Sequence, residues 1–478
     1  MSRTLAALLV TLAVAAAPAA ADSAGRLETQ LIPREAHHAA VGTLFLNRCV
    51  GGCRIVKSGL NDARTRASTI PQGPESEFTV SEFAWGDTEW AEIVTCMKEV
   101  YSPFKIVITD QQPAPGIPYN ESIIAGRPSE IGRSGIGGIA PITGDCGAYN
   151  YTINYTFANN YGPNGRVFDL CAVAAQESGH SFGLDHTYAF ADGTSGCRDP
   201  MTYRNDCGGQ KFFRNETATC GESSPRPCSC GANQNSHLKL LSVIGAGTPI
   251  TGAPTVTVTG PMPNTSIAAN TTVLTTAFAQ RGIKTVELWI NGYLWKTARG
   301  AAFGANGQPE STYGLPIPAE VPDGVLDLVV KAKDDIDVTT TAPTVTVTKG
   351  VPCASADSCA AGQQCEQGRC FWEPAVGEIG DTCTFSQYCK SGICAGTADE
   401  QICTQDCIVG VTDSCPADYT CLETSPNKGA CWFSEETCDG GCCGCTIVEA
   451  SEPAWLQVFA IGLIALIVFA PRRRRLKR

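Results

Sequence analysis

The chain has 478 residues, enough for about three domains, with only 17% charged residues and a formal net charge of −12. Its body is more acidic still, because Arg3 and six of the last seven residues are basic. Such a body repels phosphate backbones, which excludes nucleic acid as a partner.

The 26 cysteines fit an oxidising compartment, where thiols pair as bridges. The N-terminus agrees: "MSRTLAALLVTLAVAAAPAAADS" has Arg3, an apolar run and small residues near position 21. It is predicted to be a signal peptide over residues 1–22. His37 and His38 lie near the start of the mature chain.

Residues 34–245 alternate helical and strand patterns, which predicts an α+β domain. In "DTEWAEIVTCMKEVYSPF", Trp90, Ile93, Val94, Met97 and Val100 recur at helical spacing, with Thr88 or Asp87 as cap. "KIVIT" and "YNYTINYTFA" are predicted strands. A helix from about Val167 carries "AVAAQESGHSFGLDHTY". A loop-rich stretch with five cysteines and the short helix of "NQNSHLKLLSVIG", which holds His237, close the domain.

Positions four apart on a helix lie about 40° apart around its axis, so Gln176 and His180 face one way. Glu177 stands beside them and Gly183 ends the helix, letting the chain return with His186. Three ligands with one open position suit a hydrolytic zinc, whose bound water deprotonates more easily. Asp185 is expected to be a solvent-facing turn residue. No separate Ser-His-Asp set or glycine-rich phosphate loop stands out.

The pattern Q-E-S-G-H-S-F-G-L-D-H, followed by "DPMTYRND", resembles the metzincin metallopeptidases, whose signature is H-E-x-x-H-x-x-G-x-x-H with a methionine turn. The resemblance implies zinc on Gln176, His180 and His186, Glu177 as general base, Met201 as an apolar floor, and Tyr203 as oxyanion partner or ligand. It implies a protein or peptide substrate lying antiparallel along an edge strand near "GIGGIAPITGDC". The departure is Gln176, a neutral and poor ligand beside imidazole. Cys197 and Cys207 bracket the methionine, so a bridge between them would hold the turn.

Residues 250–349 are rich in threonine and valine, lack cysteine and alternate, which predicts an Ig-like β-sandwich for spacing or weak binding. Asn291-Gly292 marks a hairpin. From Cys353 to Cys431, 12 cysteines in 79 residues predict a disulfide-rich domain with an EGF-like internal repeat; thiol-bound zinc is the alternative. The tail, residues 438–478, joins a cysteine cluster to an apolar segment, 454–470, and terminal arginines. It resembles the myxobacterial C-terminal surface-sorting tail, which implies lipid attachment at the cell surface. A plain C-terminal membrane anchor is the alternative; either way 454–470 is expected to be a transmembrane helix. The expectation is a multidomain, exported, surface-anchored zinc endopeptidase. The competing expectation is an inactive surface adhesion or binding protein on the same fold. Oligomeric state stays open.

Overall fold

The computed structural model describes residues 26–31, 42–142, 144–396, 401–407, 409, 414–425 and 428–433. The signal peptide, His37 and His38, and the tail with its 454–470 segment lie outside them. Among the described residues no helix is long and apolar enough to cross a membrane. The chain divides into two units, residues 1–375 and 376–478.

The first unit opens with β1 (Arg26–Leu31), β2 (Thr43–Asn47), β3 (Cys53–Lys57), β4 (Ala67–Ser68), β5 (Glu77–Val80) and α1 (Gly86–Tyr101). There follow β6 (Val107–Thr109), β7 (Asn120–Ile124), β8 (Ile136–Ile142), β9 (Ile153–Thr156) and α2 (Arg166–Ser181). Then come β10 (Thr187–Phe190), β11 (Ala218–Cys220) and α3 (Ser236–Ile244). One mixed sheet, in the order β1-β8-β9-β7-β2-β6, forms the centre. Strands β9, β7, β2 and β6 run parallel, while β8 runs against β9.

The apolar stripe expected on α1 is the buried one, and it packs with α2 into one core on a sheet face. The bridge Cys96–Cys171 ties the two helices together. The β3–β5 side of the sheet holds a second core around Ile55, Ile123, Ile153 and Tyr155. Neither Thr88 nor Asp87 caps α1: the position before Gly86 is Trp85, without a side-chain cap, and Asp87 is engaged by Arg48.

Strand β8 was expected to be a free edge. Instead β1 lies along its outer side, parallel, with Leu27 opposite Gly138 and Glu28 opposite Ile139. Gln30 Nε2 donates to the Thr69 carbonyl (3.2 Å), and Arg133 reaches both Gln30 and Glu28.

The sandwich contains β12 (Thr255–Gly260), β13 (Ser266–Ile267), β14 (Thr272–Phe278), β15 (Ile283–Ile290), β16 (Tyr293–Arg299), β17 (Ser311–Pro316), β18 (Gly324–Asp334), β19 (Thr339–Thr341) and β20 (Val345–Lys349). One sheet runs β12-β14-β17 and the other β13-β20-β18-β15-β16, with β19 on β18. Strict alternation along β18 puts Leu326, Leu328, Val330 and Ala332 into the core. Asn291 (φ 49°) and Gly292 (φ 85°) form the expected two-residue hairpin, both left-handed as that turn demands.

The cysteine-rich stretch holds three knots, where two were legible. Each joins its first cysteine to its third and its second to its fourth: Cys353–Cys365 and Cys359–Cys370, Cys383–Cys394 and Cys389–Cys403, Cys407–Cys421 and Cys415–Cys431. With little apolar core, these bridges hold the knots, each typically by about 2–4 kcal/mol. The first knot belongs to the first unit. There Trp372 packs on Tyr293 and Trp295 (ring centroids 4.9 and 5.4 Å), and Arg369 pairs with Asp327.

Candidate metal centre

Helix α2 is buried along most of its length, and the C-terminal half carries Gln176, Glu177 and His180. It stops at Phe182 because Gly183 takes φ 83° and lies so close to the Cys146 carbonyl that no Cβ fits. The reversed chain brings His186 back, its ring 4.7 Å from that of His180. The Tyr203 ring lies tilted against that of His186, with centroids 4.4 Å apart. Gln176, His180, His186 and Tyr203 are thus gathered at one place. Gln176, Glu177 and His180 are 1, 0 and 0% exposed, and His186 is 3%.

The protons of this group can be assigned from its partners. His180 Nδ1 faces the Leu184 carbonyl (2.7 Å), an acceptor only, so Nδ1 carries the proton and Nε2 keeps its lone pair. That Nε2 is buried with no protein partner. Burial and the neighbouring His186 hold His180 down to about 3, so it is neutral. His186 Nδ1 donates to Glu222 (2.8 Å). Hydrogen bonds from His186 and from Arg226 hold Glu222 down to about 2, so this acceptor is ionised.

Gln176 is braced by the turn below it. Its amide nitrogen faces the carbonyls of Pro200 (2.9 Å) and Thr202 (3.3 Å), and its oxygen faces His186 Nε2 (3.3 Å), the orientation in which every atom meets a fitting neighbour. There His186 Nε2 donates to the Gln176 oxygen, while the lone pair of His180 Nε2 has no protein partner. A metal ion held by these atoms would take the place of the His186 Nε2 proton. Two ligands bound to tetrahedral zinc at roughly 2.0–2.1 Å are about 3.3–3.4 Å apart, the spacing found between Gln176 and His186. That spacing suits two zinc ligands and equally a hydrogen bond from His186 to Gln176.

Met201 is fully buried beneath the helix, and a Cβ on Gly179 would come within 2.6 Å of its Sδ. A glycine inside a helix is unfavourable by about 1 kcal/mol relative to alanine, and close approach of the methionine explains it. The turn is held by the Cys197–Cys207 bridge and by Asp199, which accepts from the Met201 N–H (2.9 Å).

Glu177 points at the sheet. Both its oxygens are buried without a partner, and burial holds its carboxyl well above the usual range. Room for it exists because β8 carries Gly138, where a Cβ would lie 2.5 Å from Glu177 Oε1.

Several supporting residues were not legible. Glu222 lies far along the chain and arrives on the loop closed by Cys220–Cys228. Arg226, four residues on, pairs with both Glu222 and Asp185 (2.7 Å each). Asp185 is not solvent-facing as expected: it is buried and accepts from His186 N–H, Ser229 and Arg226, which outweigh burial and keep it ionised. Asp185, His186 and Glu222 are close enough to share an ion, but Arg226 already fills that place. The close-set sulfurs of the knots are all in S–S bonds, so none offers a thiolate. His237 sits on α3 beside Phe104, apart from this group.

A family described as bacterial Ig domain matches residues 254–324. The protein is multidomain and mostly β, with an Ig-like domain and a disulfide-rich region. No peptidase family is among the matches, and no curated protein matches the chain. Among solved structures, fibronectin(III)-like modules of Clostridium thermocellum CbhA are 16% identical, spanning 20% of this chain and 94% of theirs, with a TM-score of 0.16. A lytic polysaccharide monooxygenase of Jonesia denitrificans is 14% identical over 34% of this chain and 99% of its own (TM-score 0.15). OgpA of Akkermansia muciniphila is 11% identical over 67% of this chain and 96% of its own (TM-score 0.16). None reaches a score at which a shared fold can be argued.

Proposed function

We propose that the chain is an exported zinc-dependent endopeptidase of metzincin type, acting on extracellular protein or peptide and carried at the cell surface by its C-terminal tail. The observation that carries this reading is the gathering of Gln176, His180 and His186, with His180 Nε2 buried and unpartnered and Glu177 beside them. Eleven disulfides among the described residues support an oxidising compartment.

Gln176 Oε1, His180 Nε2 and His186 Nε2 would hold the ion. When bound, zinc supplies a polarised substrate carbonyl and a water that loses its proton readily. Glu177 would be the base that accepts a proton from that water and returns it to the leaving amine. Its raised proton affinity and unpartnered oxygens suit a base with no competing hydrogen bond. Tyr203, whose ring lies tilted against that of His186, would steady the oxyanion. Leu184 O and Glu222 fix the two imidazole tautomers so that Nε2 of each faces inward.

A second reading is a metal-holding recognition domain without hydrolysis. It draws support from the closure of the site, with both imidazoles buried and β1 lying on β8. Digestion of a peptide library by the full-length exported protein, with and without chelator, separates the two. Chelator-sensitive cleavage lost in Glu177→Gln supports the peptidase. Stoichiometric zinc with no cleavage supports recognition, and no zinc after supplementation refutes both.

A further inference from the structure

We infer that the Ig-like domain is a working part of the candidate centre, with Asp335 as a positioning residue that holds the Pro200–Tyr203 turn against Gln176. This rests on the reading above only where it speaks of zinc.

The sandwich was expected to serve spacing or weak binding. It also grips the segment that backs the candidate metal centre. Arg281 makes a two-pronged pair with Asp335 (2.8 and 2.9 Å) and donates with one of the same nitrogens to the Phe213 carbonyl (3.1 Å). Arg214, next in the chain, lies 3.4 Å from Asp335 and donates to the Arg281 carbonyl. Asn215 N–H donates to Asp335 as well (3.4 Å). All three charged side chains are almost fully buried.

From this node the path to the site is short. The backbone N–H of Arg214 and that of Met201 donate to the two oxygens of one carboxylate, Asp199 (3.0 and 2.9 Å). Arg214 Nε also donates to the Arg198 carbonyl (3.3 Å). One residue either side of Met201 are the Pro200 and Thr202 carbonyls that receive the Gln176 amide.

A second grip lies beyond the turn's disulfide. Gly208 N–H donates to the Gly304 carbonyl (2.9 Å), and Gly208 lies against Ala305 with no room for a Cβ. Gln280 reaches Glu99 on α1 (2.7 Å), and Arg299 pairs with Asp192. The contacts concentrate on residues 192–215, the segment whose carbonyls orient the weakest ligand. An amide is worth least as a ligand when free to rotate, so the brace matters most at Gln176.

The test uses the full-length protein and compares Asp335→Asn, Gly208→Ala and a control, Val330→Ala, in the sandwich core away from this contact. Hydrogen exchange of residues 199–208 and the zinc dissociation constant, by chelator competition, are read below the unfolding temperature of each. Asp335→Asn and Gly208→Ala are expected to speed exchange there and weaken zinc by about tenfold. Val330→Ala is expected to lower the melting temperature without either change. If both interface variants alter only the melting temperature, like the control, the inference is overturned. If the wild type takes no zinc, the peptidase reading fails and the exchange result alone decides this one. Should Asp335→Asn not be exported, Gly208→Ala decides it.

Discussion

Replacing Gln176 by histidine restores the ligand that a three-imidazole site would have, and the structure gives that change two opposite consequences. The amide nitrogen donates to two buried carbonyls, Pro200 O and Thr202 O. Pro200 O keeps a second donor, the Thr202 N–H (2.8 Å). Thr202 O has no other partner among the described bonds. An imidazole that turns one nitrogen toward the ion has at most one N–H left for the turn. The variant therefore loses one or two hydrogen bonds at about 0.5–1.5 kcal/mol each and strands a buried carbonyl at about 1–3 kcal/mol. A net loss of about 2–4 kcal/mol follows for the metal-free protein. For a domain of this size that is a fall of roughly 5–10 °C in melting temperature.

With zinc part of the loss is recovered. Imidazole is a better zinc ligand than an amide oxygen, and a gain of at least about tenfold in affinity is expected. A tenfold gain returns about 1.4 kcal/mol at saturating ion. Thermal melts in chelator and in excess zinc, with chelator competition for the affinity, read both halves. Gln176→His is expected to melt lower than wild type in chelator and to regain part of that loss in excess zinc, so the gap between its two melts is wider than the wild type's. A chelated variant that melts no lower than wild type would refute the brace on the turn. An unchanged zinc affinity would remove Gln176 from the ligand set.

Glu222→Ala leaves His186 Nδ1 without its carboxylate and is expected to weaken zinc about 10–100-fold, measured by competition. Adjacent carboxyls in the sandwich are pushed in opposite directions. Burial, then Asp335, raises Asp334 to about 6; at Asp335 the charges of Arg281 and Arg214 overcome burial and hold it at about 2. Burial meanwhile pulls Arg214 down to about 10, so the carboxylate gains from this pair while that guanidinium does not. Asp334 contributes stability that is present below pH 4 and lost as pH rises through 6; Asp335 contributes stability present above pH 4 and lost as pH falls toward 2. The two contributions are largest together near pH 4, so the melting temperature is expected to fall on either side of it, with Asp335→Asn losing the acid-side fall; a profile flat from pH 2 to 4 contradicts the Asp335 assignment, and one flat from pH 4 to 6 the Asp334 assignment. Deleting residues 26–31 uncovers the outer side of β8 and is expected to raise peptide cleavage; unchanged kcat/KM would show that β1 does not stand in the way.

What the sequence made legible was local. The stripe on α1, the bend at Gly183, the Asn291-Gly292 turn and the bracketing of Met201 by Cys197 and Cys207 each rest on residues close in the chain. What it hid was non-local. Glu222 reaches His186 only through the loop closed by Cys220–Cys228, although Glu222 and Arg226 four apart between two cysteines was an available sign of a small charged loop. Asp185 read as exposed because nothing nearby in sequence announces Arg226 and Ser229 as its partners. The pairing of β1 on β8 joins residues about 110 apart, and the docking of Asp335 on Arg214 about 120 apart. No periodicity encodes either one, because each depends on two finished surfaces meeting.

Glu177 is the residue that best separates a catalyst from a vacated shell. Its two oxygens are fully buried and unpartnered, a burden of about 1–3 kcal/mol for each stranded polar atom. Leucine has nearly the same volume and would fit the α2 face against the sheet without that burden. Gly138 on the facing strand removes its own side chain to make the space. Two elements thus accommodate a carboxyl that folding alone disfavours, as functional sites do when they oppose stability. In chelator, Glu177→Leu is expected to melt higher than wild type by a few degrees, while losing all cleavage. If it melts lower, the carboxyl has a structural partner in solution, and its role as a poised base loses its physical ground.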